Sequence, residues 1–193
     1  MTLRRCRSVS LSSILVLVAV AAHLHAGNQA PSVKAVRDVD YHKMTGTWYE
    51  IARLPNPRQE GYSDVSISFE IDGDKIRAFT RGFKQRAGGR PATLKAAGDL
   101  PPAGDPARLK FRFCGIFSFV YQIIDIDKEN YEHFMAADEK GECLWFFSRE
   151  PQMPEETYAQ LVESALRKGF DLSKLTRTPQ SAARLAQDVH LGR

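Results

Sequence analysis

From residue 48 to residue 148 the chain is a series of short apolar segments, each stopped by turn-forming residues, with no helix-length period among them. Trp48–Leu54 runs into Pro55-Asn56-Pro57. Val65–Ile71 alternates strictly and stops at Asp72-Gly73-Asp74, where Asp-Gly favours the tight turn whose twist matches that of its flanking strands. Ile76–Phe83, Ala92–Ala97, Leu109–Phe113, Phe119–Ile126, Tyr131–Ala137 and Leu144–Ser148 complete eight strand candidates. Connections this short join antiparallel neighbours in a meander. A meander leaves unpaired edges unless the sheet closes, so the expected fold is all-β, an eight-stranded antiparallel up-and-down β-barrel.

The period changes after Pro151. Tyr158, Leu161, Val162, Ala165 and Leu166 repeat at helical spacing and form one apolar stripe. Pro154 opens the helix, Glu155 and Glu156 suit its positive end, Arg167 and Lys168 its negative end, and Gly169 its left-handed terminus. This C-terminal α-helix is expected to pack outside the barrel wall. Its polar face carries Glu155, Glu156 and Glu163 and is too acidic for a membrane-surface helix. A short helix is also expected over Gln180–Val189. Residues 27–40 then form a polar lead-in, 41–176 the barrel with its helix, and 177–193 a tail.

Arg4, Arg5 and Arg7 precede an unbroken apolar run from Ile14 to Ala22, and small residues lead to Ala26-Gly27. That pattern makes residues 1–26 a secretory signal peptide, with an uncut N-terminal anchor as the alternative. The run is too short to cross a bilayer core, which takes about 20 residues. Cys6 lies before the apolar run, so no lipid-anchor cysteine follows it. The 27 Lys and Arg exceed the 23 Asp and Glu by four, an excess that would raise nucleic acid or an anionic membrane as partner. Export removes three of those cations and no acid, leaving 24 against 23, so no nucleic-acid partner is implied. Cys114 and Cys143 remain in a compartment where disulfides persist, and one bridge or two separate thiols both stay open.

The interior of an eight-stranded barrel holds one small ligand or a plug of side chains. Alternation groups Trp48, Glu50, Ala52 and Leu54 on one face of the first strand, and Tyr121, Ile123 and Asp125 on one face of the sixth. Trp145, Phe147 and Arg149 share a face of the last. Apolar residues occupy both faces of many strands, so a filled aromatic core is as open as a cavity. Small residues such as Ala52, Ala78, Ala92 and Ala96 tilt the balance toward a cavity. Catalytic motifs are missing: there is no Gly-x-Ser-x-Gly, no His-Glu-x-x-His and no phosphate loop. His42, His133 and His190 have no second His or Cys at ligand spacing, so neither metal nor cofactor is expected. A binding protein, not an enzyme, is the expectation.

Gly46-Thr47-Trp48-Tyr49-Glu50-Ile51-Ala52-Arg53-Leu54-Pro55 resembles the first-strand signature of the lipocalins, specifically the bacterial outer-membrane lipocalins and their apolipoprotein D relatives. Leu144-Trp145-Phe146-Phe147-Ser148-Arg149-Glu150-Pro151 resembles the family's last-strand motif, and Gly169–Leu175 the C-terminal region of the bacterial subgroup. The family's Asp-Tyr motif is looser: Asp125, Asp127 and Tyr131 are candidates, with Lys128-Glu129-Asn130 between Asp127 and Tyr131. The likeness covers roughly residues 36–178.

The resemblance implies storage or transport of a small hydrophobic ligand, a fatty acid or lysophospholipid. It implies an exported monomer or weak dimer in the periplasm or peripheral to the outer membrane, and a near-neutral barrel suits an uncharged or zwitterionic lipid. Gly46, Trp48, Asp127, Tyr131 and Arg149 would hold the closed end, with Arg149 stacked on Trp48. With Trp48 inward, Glu50 and Ala52 would face the ligand, and Tyr121, Ile123, Trp145 and Phe147 join them as candidates. Glu50 would receive a polar headgroup or, in the favoured reading, be a buried hydrogen-bonding residue near the floor. The family's strand order separates Cys114 from Cys143 across the open rim, implying two free thiols. A few relatives are enzymes using a cavity thiol or carboxylate, so a lipid-acting enzyme is one alternative, and an envelope adaptor with an incidental cavity is another.

Overall fold

A computed structural model describes residues 31–84, 89–114 and 117–181. The expected signal peptide, the first residues of the expected lead-in and nearly all of the helix expected over Gln180–Val189 lie outside them; Gln180 and Ser181 themselves are not helical. A short helix α1 (Tyr41–Met44) leads into eight strands: β1 (Gly46–Arg53), β2 (Tyr62–Asp72), β3 (Lys75–Lys84), β4 (Arg90–Asp99), β5 (Arg108–Phe113), β6 (Phe117–Ile126), β7 (His133–Ala137) and β8 (Leu144–Ser148). Helix α2 (Glu155–Arg167) and a two-residue strand β9 (Thr176–Arg177) follow. Each strand pairs antiparallel with the next, and β1 pairs with both β2 and β8, so the barrel closes as the turn spacing predicts. Tyr131, expected to begin β7, instead lies in the preceding loop with φ 57°.

Two apolar clusters share the barrel wall. One fills the interior with Trp48, Phe69, Phe111, Ile123, Phe134 and Phe147 among others. The second lies between the wall and α2, where Ile124, Met135, Leu144 and Phe146 meet Leu161 and Ala165. Alternation along β7 and β8 assigns successive residues to opposite clusters, as a pleated strand requires. In β6 a register shift between Ile123 and Asp125 leaves Ile124 and Asp125 both facing α2, so Asp125 does not share the face of Tyr121 and Ile123. Strand β1 breaks that rule too. Its register against β8 shifts between Glu50 and Ala52, and the bulge puts both Ile51 and Ala52 in the outer cluster. Ala52 and Leu54 therefore do not share the inward face of Trp48, contrary to the simple alternation.

The helix stripe needs one correction. Leu166 is 55% exposed, and Ser164 is buried in its place, donating a hydrogen bond to Asp125 on β6. Gly169 ends the helix at φ +88°, a conformation that costs a residue without Cβ little.

The described start of the expected tail, residues 177–181, belongs to the barrel. Pairing of β1 with β2 covers only Gly46–Tyr49 against Ser66–Phe69. Beyond it β9 pairs with Ala52 and Arg53, and Thr178 N donates to Ile51 O at 2.9 Å. Gln180 Nε2 then bridges Glu50 O and Val65 O, at 2.9 Å to each, linking the two strands where their own ladder has stopped.

Candidate functional site

The two ends of the barrel are built differently. At the closed end, the Arg149 guanidinium lies 3.7 Å from the Trp48 ring centroid, the stacking that the last-strand motif implied. It donates to Thr45 O at 2.9 Å, Thr47 O at 3.1 Å and Tyr131 O at 3.3 Å, and also to Lys43 O. Trp48 Nε1 donates to Met44 O at 2.8 Å, and its ring meets Phe134 edge-on at 4.7 Å. Gly46 sits at φ +88° directly beside Arg149, so a side chain there would be strained by its backbone.

Asp127 and Tyr131 close the same end despite the residues between them. The Asp127 carboxylate accepts from the backbone N–H of Glu129, Asn130 and Glu132 at 3.1, 3.2 and 3.4 Å. Burial raises its pKa, but those donors outweigh it and hold the carboxyl below its ordinary range. The looser spacing is thus absorbed by a turn folded around the Asp127 side chain. Tyr131 is buried, and its hydroxyl accepts from Asp40 N at 2.8 Å. Asp125 takes no part; it faces α2, bound to Ser164 and 3.6 Å from Lys168 Nζ.

Toward the open end the inner face becomes aromatic. Phe119 stands 5.0 Å from Tyr121, and Tyr121 stands 4.9 Å from Trp145, between ring centroids. Phe111 packs against Phe69, Phe119 and Tyr121, while Phe113 stacks on Phe117 at the rim. Deeper down, Tyr121, Ile123 and Phe147 line a void with Leu109, Phe111 and Phe134, and its free volume is about 10 Å³. That is about the minimum a single water needs. In this conformation the interior is closed by its own side chains. A wider hollow of about 520 Å³ lies outside the barrel, between the lead-in and the end of α2. Its Lys128 binds Arg37 O and its Lys168 faces Asp125, so those lysines hold the fold together.

Glu50 is a buried carboxylate of the upper barrel, 1% exposed. Its carboxylate accepts from Arg53, from Thr178 Oγ1 at 2.6 Å and from Gln59 Nε2 at 2.8 Å. Gln59 comes from the turn Pro57–Gln59 between β1 and β2, and its Oε1 accepts from Trp145 Nε1 and Asn56 Nδ2, both at 2.7 Å. Because an indole N–H only donates, Trp145 fixes the amide orientation and aims the amino group at Glu50. The hydrogen-bonding role favoured for Glu50 is what it performs, but its partners come from the open-end connection and the C-terminal segment, not from the floor. Burial first, and the nearby Glu50 carboxylate second, push the Tyr121 hydroxyl upward.

Of the six ligand-facing candidates, Tyr121, Ile123, Trp145 and Phe147 belong to the interior cluster, Glu50 sits in the seam, and Ala52 faces α2. Phe69, Phe111, Phe119 and Gln59 complete the arrangement. Phe119 was legible as the residue two before Tyr121; Gln59 and Thr178 gave no sequence signal. Cys114 and Cys143 are free thiols, the first exposed and the second half-buried. Burial, then Asp138, pushes the Cys143 thiol upward, away from a reactive thiolate. Among the described residues no group of three or more His, Cys, Asp or Glu could hold a metal ion, and no helix is long and apolar enough to cross a membrane.

Comparison with known proteins agrees with this geometry. Residues 39–180 match the lipocalin-like domain model. Outer membrane lipoprotein Blc of Citrobacter freundii is 31% identical over 176 residues, covering 88% of this chain and 97% of that protein. Temperature-induced lipocalin-1 of Arabidopsis thaliana is 32% identical over 77% of this chain and 83% of its own length. Insecticyanin of Manduca sexta superposes with a TM-score of 0.62 at 18% identity, over 81% of this chain and 88% of that one, and supports the fold. A closed barrel, an Arg149–Trp48 floor and a family match over residues 39–180 give one result: the chain belongs to the lipocalin family.

Proposed function

We propose that this chain is a carrier or store for a lipid with a single acyl chain, a fatty acid or lysophospholipid, in the cell envelope. The carrying observation is the aromatic column Phe111–Phe119–Tyr121–Trp145, which leads from the rim into the interior beside one satisfied polar cluster at Glu50. An acyl chain enters by turning these rings aside, which exchanges one set of apolar contacts for another and leaves the floor untouched. Tyr121, Ile123, Trp145 and Phe147 contact the chain, and Trp48 supports it from below. Export by the N-terminal signal and likeness to outer membrane lipoproteins support a periplasmic or peripheral outer-membrane location for a monomer or weak dimer. A Cys143 thiol with a raised pKa supports binding without turnover.

The test is displacement of a fluorescent fatty acid from the mature chain. Competition by lysophospholipid at micromolar or lower concentration is expected, with loss of that competition in Tyr121→Arg. A protein that binds no lipid in either form refutes the carrier.

A further inference from the structure

The mature chain is nearly neutral as a whole, yet its charges are segregated. Residues 75–98 contain seven Lys or Arg and no Asp or Glu, and residues 106–124 contain three more with no acid. Their described residues supply β3, β4 up to Gly98, β5 and most of β6, which are consecutive in the sheet, with Arg86 outside the described residues. The other fourteen cations of the exported chain share the remainder with all 23 acids. One wall of the barrel is therefore strongly basic and the rest acidic.

Most acids that touch this wall sit at its closed end, while Glu139 of the β7–β8 connection pairs with Arg108 of β5. Asp72 pairs with Arg77, and Asp99 pairs with Lys75 and Arg112. Toward the rim, Lys84 ends β3, and Lys95 lies on the outer face of β4, opposite Phe79. Lys110 also points outward from β5, between the interior residues Leu109 and Phe111, but it lies level with Asp99 toward the closed end. Lys84, Lys95 and Lys110 are all exposed.

The apolar part of the mouth belongs to the same wall. Phe117 is 55% exposed and Leu94 is 40% exposed. Both lie on the inward face of their strands, Leu94 in step with Ala96 and Phe117 in step with Phe119. The β4–β5 register, Ala97 opposite Arg112, runs out at Phe113, so Leu94 stands beyond the end of β5 with nothing to cover it from that strand. Cations bordering exposed rings and aliphatic groups match an anionic lipid surface, where the charges meet phosphates and the apolar groups enter the headgroup boundary. A soluble polyanion would use the cations and leave the rings in water.

We propose that the rim of the β3–β6 wall docks on an anionic lipid surface, with Leu94, Phe113 and Phe117 entering it and Lys84 and Lys95 on the headgroups. The barrel mouth then opens directly onto the lipid it takes up. This rests on the carrier reading for its purpose, but docking is measured independently of it.

The mature full-length chain is sedimented with vesicles of phosphatidylcholine alone and of phosphatidylcholine with phosphatidylglycerol. Preferential binding to the second is expected, weakening as salt rises. The double variant Lys84→Gln, Lys95→Gln loses about fivefold per lysine, on the order of twentyfold together. Phe117→Ser loses about tenfold with the charge unchanged. Equal binding to both vesicles, or a double variant that binds like the parent, overturns the proposal. So does retention on immobilised heparin that the double variant loses and Phe117→Ser keeps, without vesicle preference, which assigns the wall to a soluble polyanion. Fatty-acid displacement is read in parallel. Its failure with docking intact removes the carrier and leaves the docking, and the reverse removes the docking alone.

Discussion

The closed end of this barrel is held by contacts within a single layer, whereas the open end is held by a segment borrowed from the far C-terminus. At the floor, Arg149 reaches four carbonyls and one ring, all near the start of β1 and the loop before β7. At the mouth, β1 and β2 part after Tyr49, and residues 176–181 fill the seam through Thr178 and Gln180. A floor that closes itself supplies stability. A mouth closed by a separable segment and by rings with free faces is the part able to rearrange around a ligand.

That contrast is broken most directly at the floor. Trp48→Ala removes a fully buried indole and the face on which Arg149 rests, and urea unfolding is expected to show a loss of about 4 kcal/mol. A loss under about 1 kcal/mol would mean the floor does not carry the barrel. Glu50→Gln tests the seam. It strips the charge from a carboxylate that holds Arg53, Gln59 and Thr178, leaving the nearly buried Arg53 without its ion pair, at a cost of about 3 kcal/mol. Trypsin should then cut after Arg177, which the intact seam protects; an equally slow cut in both proteins would detach the segment from Glu50.

Smaller effects sharpen the comparison. The Tyr41 hydroxyl at the floor is buried without a hydrogen-bond partner among the described residues, and its pKa is pushed up to about 12 by burial and then by Tyr131. The unfolded chain releases that proton near 10, so stability falls as pH rises from 10 through 12 and is unaffected below 10. Tyr41→Phe is expected to raise stability by about 1 kcal/mol at neutral pH and to flatten this alkaline decline, read by urea melts on either side of the window. At the rim, Phe117→Ser should change stability by less than about 0.5 kcal/mol, because over half of the ring is already in water. A larger loss would make the rim part of the core.

The sequence carried the eight strands, their order and the helix because each is written locally: a period of two, an Asp-Gly turn, a period near 3.6 with a glycine at its end. It also carried Arg149 on Trp48 through the family likeness, and Tyr121, Ile123, Trp145 and Phe147 as interior residues. It misjudged Ala52, because a bulge is one residue of register between strands almost a hundred positions apart and leaves no mark on either. It misjudged Leu166, because a helix stripe does not say where the wall beneath it ends.

What the chain determined by itself was the set of elements and the two ends of the barrel. Only the tertiary structure decided that residues 176–181 close the seam, that Glu50 is satisfied from the mouth, and that the basic stretches fall on one wall. Local patterns follow from the geometry of a single strand or helix; seams, partners of buried charges and surface fields depend on which distant segments the closed sheet brings side by side.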